Sequence, residues 1–211
     1  QKDLIAMSVD ITGYTEALIN GEWHCIDFYQ YDSKGKLHLI PSIQGRSLVS
    51  YALEEECKMD YINRPPDTVS DAVRRECSTE TGVLLGPTEG EGLCSWSVVP
   101  GKWFLKANLA LPESCGFFTR DALSWYLSNP EENRLDTDDM LSVEEYRELS
   151  EEEKKAYQYY EYTDPYGSRQ ILRSFKEAVL ARVRAYNDNI SWEMRENAID
   201  LSDVRVLILH S

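Results

Sequence analysis

Asn20-Gly21 restricts the possible folds of this chain more than any other pair of residues. Asn and Gly both tolerate positive φ, which a two-residue turn between twisted antiparallel strands demands. Before it, Met7 to Ile19 has strand composition, with alternation strongest in its later half. After it, Glu22 to Tyr31 places Trp23, Cys25, Asp27 and Tyr29 on one face and His24, Ile26, Phe28 and Gln30 on the other. A second turn signal, Asp32-Ser33-Lys34-Gly35, leads into the short apolar run Leu37 to Ile40. Together these segments predict a three-stranded antiparallel meander. Gln1 to Ala6 reads as an extension ahead of it.

Helical signals follow. Ser47 to Lys58 carries Leu48, Val49, Ala52 and Leu53 on one side. Arg64-Pro65-Pro66-Asp67 breaks the chain, and Thr68 reads as the N-cap of a short helix through Cys77. Gly82 to Gly92 holds four glycines and Pro87, a flexible loop by composition. Leu93 to Val99 and Lys102 to Leu109 predict a hairpin across Pro100-Gly101, anchored by Trp96 and Trp103. Thr119 caps a helix bearing Leu123, Trp125, Tyr126 and Leu127, which Asn129-Pro130 ends.

A long amphipathic helix is predicted from Asp164-Pro165 to Asn187. Ile171, Leu172, Phe175, Ala178, Val179, Val183 and Tyr186 form its stripe, with Arg169, Arg173, Lys176 and Arg184 opposite. Arg182 falls inside the stripe. A buried guanidinium without a counter-charge is very costly, so Arg182 is expected to meet a carboxylate from Glu131–Asp164 or from a nearby strand end. Val204 to Leu209 is nearly all apolar and reads as a central strand.

The stretch from Glu131 to Asp164 holds 13 acidic residues against 4 basic ones, a net −9 within a chain total of −15. Two capping boxes lie in it, Ser142-Val143-Glu144-Glu145 and Ser150-Glu151-Glu152-Glu153, so it is expected to be helical. The expected architecture is a single α+β domain over 1–211, with 131–164 as an acidic helical arm or insertion. An antiparallel sheet of five or six strands would come from both ends of the chain, with helices mainly on one face.

A charge of −15 disfavours contact with bare nucleic acid or anionic lipid and favours a basic protein partner. No apolar run reaches the roughly 20 residues that span a bilayer, and no secretion signal stands at the start. Five cysteines, an odd number without close pairs, suit a reducing cytoplasm.

Catalytic and metal-binding motifs are sparse. Cys115 precedes a helix start and is the one nucleophile candidate, with His24, His38 and His210 the histidines available as a base, but no protease signature surrounds it. No Cys-x-x-Cys, His-x-x-x-His or His-Glu-x-x-His occurs, so neither metal nor cofactor is expected. Asp136-Thr137-Asp138-Asp139 is dense in carboxylates but lacks the glycine and distal ligands of a calcium loop. Gly82 to Gly92 is acidic and has no phosphate-binding Gly-Lys-Ser/Thr.

Two features point to binding instead. Tyr157, Tyr159, Tyr160 and Tyr162, with Tyr166 beyond, either pack the arm or form a contact surface, a common use of tyrosine. Glu144, Glu148, Glu151 and Glu152 form either a solvated face or an array that imitates a phosphate backbone. The expected function is a non-enzymatic acidic interaction protein. Its most concrete form is a mobile-element accessory or inhibitor that binds a basic surface of a nucleic-acid-handling protein. The alternatives are a hydrolase-like enzyme assembled only by folding, using Cys115 or His24, and an immunity-type protein that neutralises a basic toxin.

Overall fold

The computed structural model describes residues 10–46, 52, 68–77, 95–164, 166–190 and 197–210. The helix expected over 47–58, apart from the buried and helical Ala52, the break at 64–67 and the loop at 82–92 lie outside them. The chain divides into two compact units, 1–107 with 172–211, and 108–171.

The first unit is built on β1 (Asp10–Ile19), which meets β2 (Glu22–Cys25) across the Asn20-Gly21 turn. Ile19 faces Glu22, and Asn20 and Gly21 have φ of 53° and 86°, as the sequence requires. The expected third meander strand is not continuous with this hairpin. The chain breaks at Ile26-Asp27, and β3 (Phe28–Tyr31) pairs with β4 (Leu37–Ile40) in a separate two-stranded sheet. Ile26 and Asp27 are both buried, which strict alternation cannot provide. β5 (Ile43–Arg46) returns to pair with the first half of β1.

α1 (Asp71–Cys77) follows, opened by Ser70 rather than Thr68: Val73 N–H donates to Ser70 Oγ at 3.5 Å. β6 (Ser95–Pro100) does not enter a hairpin. Gly101 N–H donates to Val204 O at 2.8 Å, and the chain turns into the short α2 (Trp103–Lys106).

The second unit contains β7 (Ser114–Thr119), α3 (Arg120–Ser128), α4 (Val143–Glu148), α5 (Glu151–Lys154) and β8 (Tyr157–Tyr162). Thr119 caps α3 by accepting from Ala122 N–H at 3.2 Å. Within the acidic stretch, which was expected to be helical, Val143–Glu148 and Glu151–Lys154 are short capped helices and Tyr157–Tyr162 is a strand. β8 pairs antiparallel with β7, and Phe118, Leu123, Tyr126, Leu135 and Tyr162 form the core of this unit.

α6 (Ser168–Asn189) begins four residues after Asp164, and from Leu172 onward it belongs to the first unit. Leu172, Phe175, Val179, Arg182 and Val183 are its buried residues. β9 (Val204–His210) then lies between β1 and β6, giving the sheet order β2-β1-β9-β6 with β5 also on β1. This is the α+β fold expected, with an antiparallel sheet drawn from both ends of the sequence. Tyr14, Trp96 and Leu207 pack with Val73 and Cys77 of α1. Ile11, Ala17, Val99, Val206 and Ile208, which alternate with them, are also buried, so both sides of the central strands are covered.

Candidate functional site

In the second unit, Gly116 lets the segment ahead of α4 lie against β7. A Cβ at Gly116 would meet Leu141 O at 2.7 Å, and Phe117 and Leu141 exchange backbone hydrogen bonds of 2.9 Å in both directions. Ser142 follows and closes a reciprocal cap. Glu145 N–H donates to Ser142 Oγ at 3.2 Å, and Ser142 N–H donates to the Glu145 carboxylate at 2.8 Å. Ser150 and Glu153 repeat the arrangement at 3.3 and 2.9 Å. These bonds hold both carboxyls below their usual range, led by the Ser142 backbone N–H for Glu145 and the Ser150 hydroxyl for Glu153.

α4 and α5 bury none of their residues, and Glu144, Glu148, Glu151 and Glu152 are all exposed. The side chains of Glu151 and Glu152 are 90% and 84% exposed, and each pairs with the lysine three residues on, at 2.8 Å to Lys154 and 2.6 Å to Lys155.

Strand alternation divides the tyrosines. Tyr160 and Tyr162 face inward, edge-on to Tyr126 with centroids 6.1 and 5.4 Å apart. Tyr157 and Tyr159 face the other way. Tyr157 is half-buried, whereas Tyr159 is 46% exposed and meets Phe117 edge-on at 5.5 Å. Phe117 is itself stacked on Tyr146 of α4 at 3.7 Å. The structure thus separates the eight residues singled out in the sequence: four carboxylates on the helices, Tyr162 in the core with Tyr160 packed against it, and Tyr157 and Tyr159 on the other face of β8.

Asp136, Asp138, Asp139 and Glu145 line a cleft of about 390 Å³ with Phe118, Met140 and other residues. Asp138 N–H donates to Asp136 Oδ1 at 3.0 Å, a local turn. Among the described residues, no group of three or more His, Cys, Asp or Glu is placed to hold a metal ion.

Charges are arranged differently in the first unit. Arg182 Nε pairs with Asp27 Oδ1, and its Nη2 donates to the carbonyls of Ile40 at 3.0 Å and Pro41 at 3.1 Å. The guanidinium lies 4.8 Å from the Phe28 ring centroid. Asp27 also accepts from Thr15 N–H at 2.7 Å. Burial pushes the Asp27 carboxyl up to about 6, against the opposing pull of Arg182 and the Thr15 hydrogen bond. The carboxylate expected for Arg182 therefore comes from a strand end.

A second buried pair was not anticipated from sequence. Glu16 Oε2 accepts from Arg205 Nε at 2.9 Å and Nη2 at 2.7 Å, while Glu16 Oε1 accepts from Ser70 N–H at 2.7 Å. Arg205 stacks over Trp23 at 3.9 Å and also donates to Thr68 O. The available signal was Arg205 itself, a charge inside an otherwise apolar strand.

His24 and Cys25 line a cleft of about 520 Å³ with Trp23, Ser70, Asp71 and Arg75. Burial first, and then Asp27, pushes the Cys25 thiol up to about 12, so it stays protonated at neutral pH. Cys115 is exposed within β7, five residues before α3 begins. No helix among the described residues is long and apolar enough to cross a membrane. Compared with protein-family models, curated proteins and solved structures, the chain matches none of them.

Proposed function

We propose that this is a non-enzymatic acidic interaction protein that binds a basic surface on a nucleic-acid-handling protein. The supporting observation is the exposure of Glu144, Glu148, Glu151 and Glu152 on two helices, each closed by a reciprocal cap. Fixed helix starts keep these carboxylates in a defined array, and such an array steers a basic partner from a distance. A mobile-element accessory or inhibitor protein is the most concrete form of this reading; an immunity-type protein would use the same physics. Cys25, Cys77 and Cys115 are free thiols, which supports a cytoplasmic setting.

The test begins with capture of the partner from the native host and its identification by mass spectrometry. Association rates are then measured across a salt series for wild type and for Glu144→Lys, Glu148→Lys, Glu151→Lys and Glu152→Lys combined. Wild type should associate at least about tenfold faster at low salt, with the advantage lost as salt rises. The reversed protein should keep its unfolding midpoint. Equal rates and equal salt slopes would reduce the array to a solvated face.

A further inference from the structure

Three arginines of this chain are held in the same way, by an aromatic ring on one side and a carboxylate at the edge. Arg205 has Trp23 and Glu16, and Arg182 has Phe28 and Asp27. Arg134 lies 4.4 Å from the Tyr166 ring centroid, with its Nε 3.9 Å from Asp164 Oδ1. In this last case ring and carboxylate are two residues apart. A guanidinium suits such a clasp because it is planar and weakly hydrated, so it can stack and still offer its N–H fork sideways.

Tyr159 and Glu161 present the same two groups outward. Both lie on β8 with a spacing of two, which puts them on one face of the strand about 6.7 Å apart. Glu161 is exposed, as is nearly half of Tyr159. The tyrosine ring is braced edge-on by Phe117, which is stacked in turn on Tyr146. Across the β7–β8 pairing, Glu161 faces the small Cys115. The stretch that supplies the clasp carries 13 acids against 4 bases, so the charge around it selects a cation.

We propose that Tyr159 and Glu161 form an open clasp for an arginine side chain of the basic partner whose binding is proposed above. The guanidinium stacks on the Tyr159 ring and donates to the Glu161 carboxylate. A lysine ammonium, a compact and strongly hydrated point charge, does not make both contacts as well.

The experiment uses the full chain and two unstructured probes of equal length and charge, an arginine–glycine repeat peptide and its lysine–glycine counterpart. Binding is read by fluorescence anisotropy at low and moderate salt. Wild type should bind the arginine peptide about three- to fivefold more tightly than the lysine peptide. Tyr159→Leu and Glu161→Gln should each remove that preference with little change toward the lysine peptide, and Tyr159→Phe should keep it. Circular dichroism establishes that each variant is folded. Equal binding of the two peptides, or an arginine preference that survives Tyr159→Leu, overturns the clasp; salt-dependent binding of both peptides would leave the acidic-partner reading standing. Binding of neither peptide overturns both readings. A concentration-dependent dimer that Tyr159→Leu dissolves, with no peptide preference, assigns the face to a second copy and also overturns the clasp.

Discussion

The two units use the same chemical groups to opposite ends. In the first, carboxylate and guanidinium meet in the interior: Asp27 and Arg182 join the β2–β3 break, β1, the β4–β5 turn and α6 through one ion pair and its hydrogen bonds. In the second, the exposed carboxylates of Glu151 and Glu152 pair with lysines at the surface. Buried pairs gain little over apolar packing, yet losing one partner strands the other charge without water. Exposed pairs are screened, and each is worth little. The acidic excess of the sequence therefore says nothing about where charge supports the fold; burial decides that.

The largest expected effect tests this contrast directly. Asp27→Ala leaves Arg182 buried without its counter-charge and should cost about 3–5 kcal/mol of stability by urea unfolding. Glu151→Ala should leave the midpoint where it is. Comparable shifts in the two variants would erase the distinction between the units.

A smaller effect follows from pH. The Asp27 carboxyl rises from 3.8 to about 6 on folding, so across that window the folded protein keeps a proton that the unfolded chain has released. Its contribution to stability should therefore fall as pH rises from 3.8 to about 6, by at most about 1.4 kcal/mol per pH unit. Glu145 and Glu153 act in the reverse sense, because their lowered carboxyls add stability that is lost on acidification. Subtracting the stability–pH profile of Asp27→Asn from that of wild type isolates the Asp27 slope; a slope of opposite sign would show that the pull of Arg182 and the Thr15 hydrogen bond outweighs the cost of burial. The smallest effect belongs to the second unit: Ser142→Ala removes one half of a capping box and should cost about 1 kcal/mol by thermal unfolding.

Features set by neighbouring residues were legible in the sequence. Asn20-Gly21 specifies its own turn, Thr119 its own cap, and Ser142 and Ser150 their own boxes. The apolar run from Val204 needed only its composition to read as a central strand. Features set at a distance were not legible. Alternation runs unbroken through Ile26 and Asp27, but Arg182, far along the chain, draws Asp27 inward and splits the strand there. Pro100-Gly101 resembles a hairpin turn, and only the bond to Val204 O shows that the chain goes elsewhere. At the candidate site, the exposed glutamates were readable as a charged face. The division of the tyrosines was not, because it depends on β8 pairing with β7.

The register of β9 bears on how the molecule comes into being. Ile11 pairs with His210, and Ala17 with Val204, so the middle of the first sheet joins segments from opposite ends of the sequence. On the ribosome, β1 emerges first among the described strands and β9 last. Until β9 clears the exit tunnel, one long edge of β1 has no neighbour and Glu16 has no Arg205. The β7–β8 pairing, by contrast, closes within a few dozen residues, and both of its strands are outside long before translation reaches Val204. Between the emergence of β1 and that of β9 the nascent chain thus carries a waiting, half-built sheet, the condition under which exposed strand edges invite mispairing with other chains.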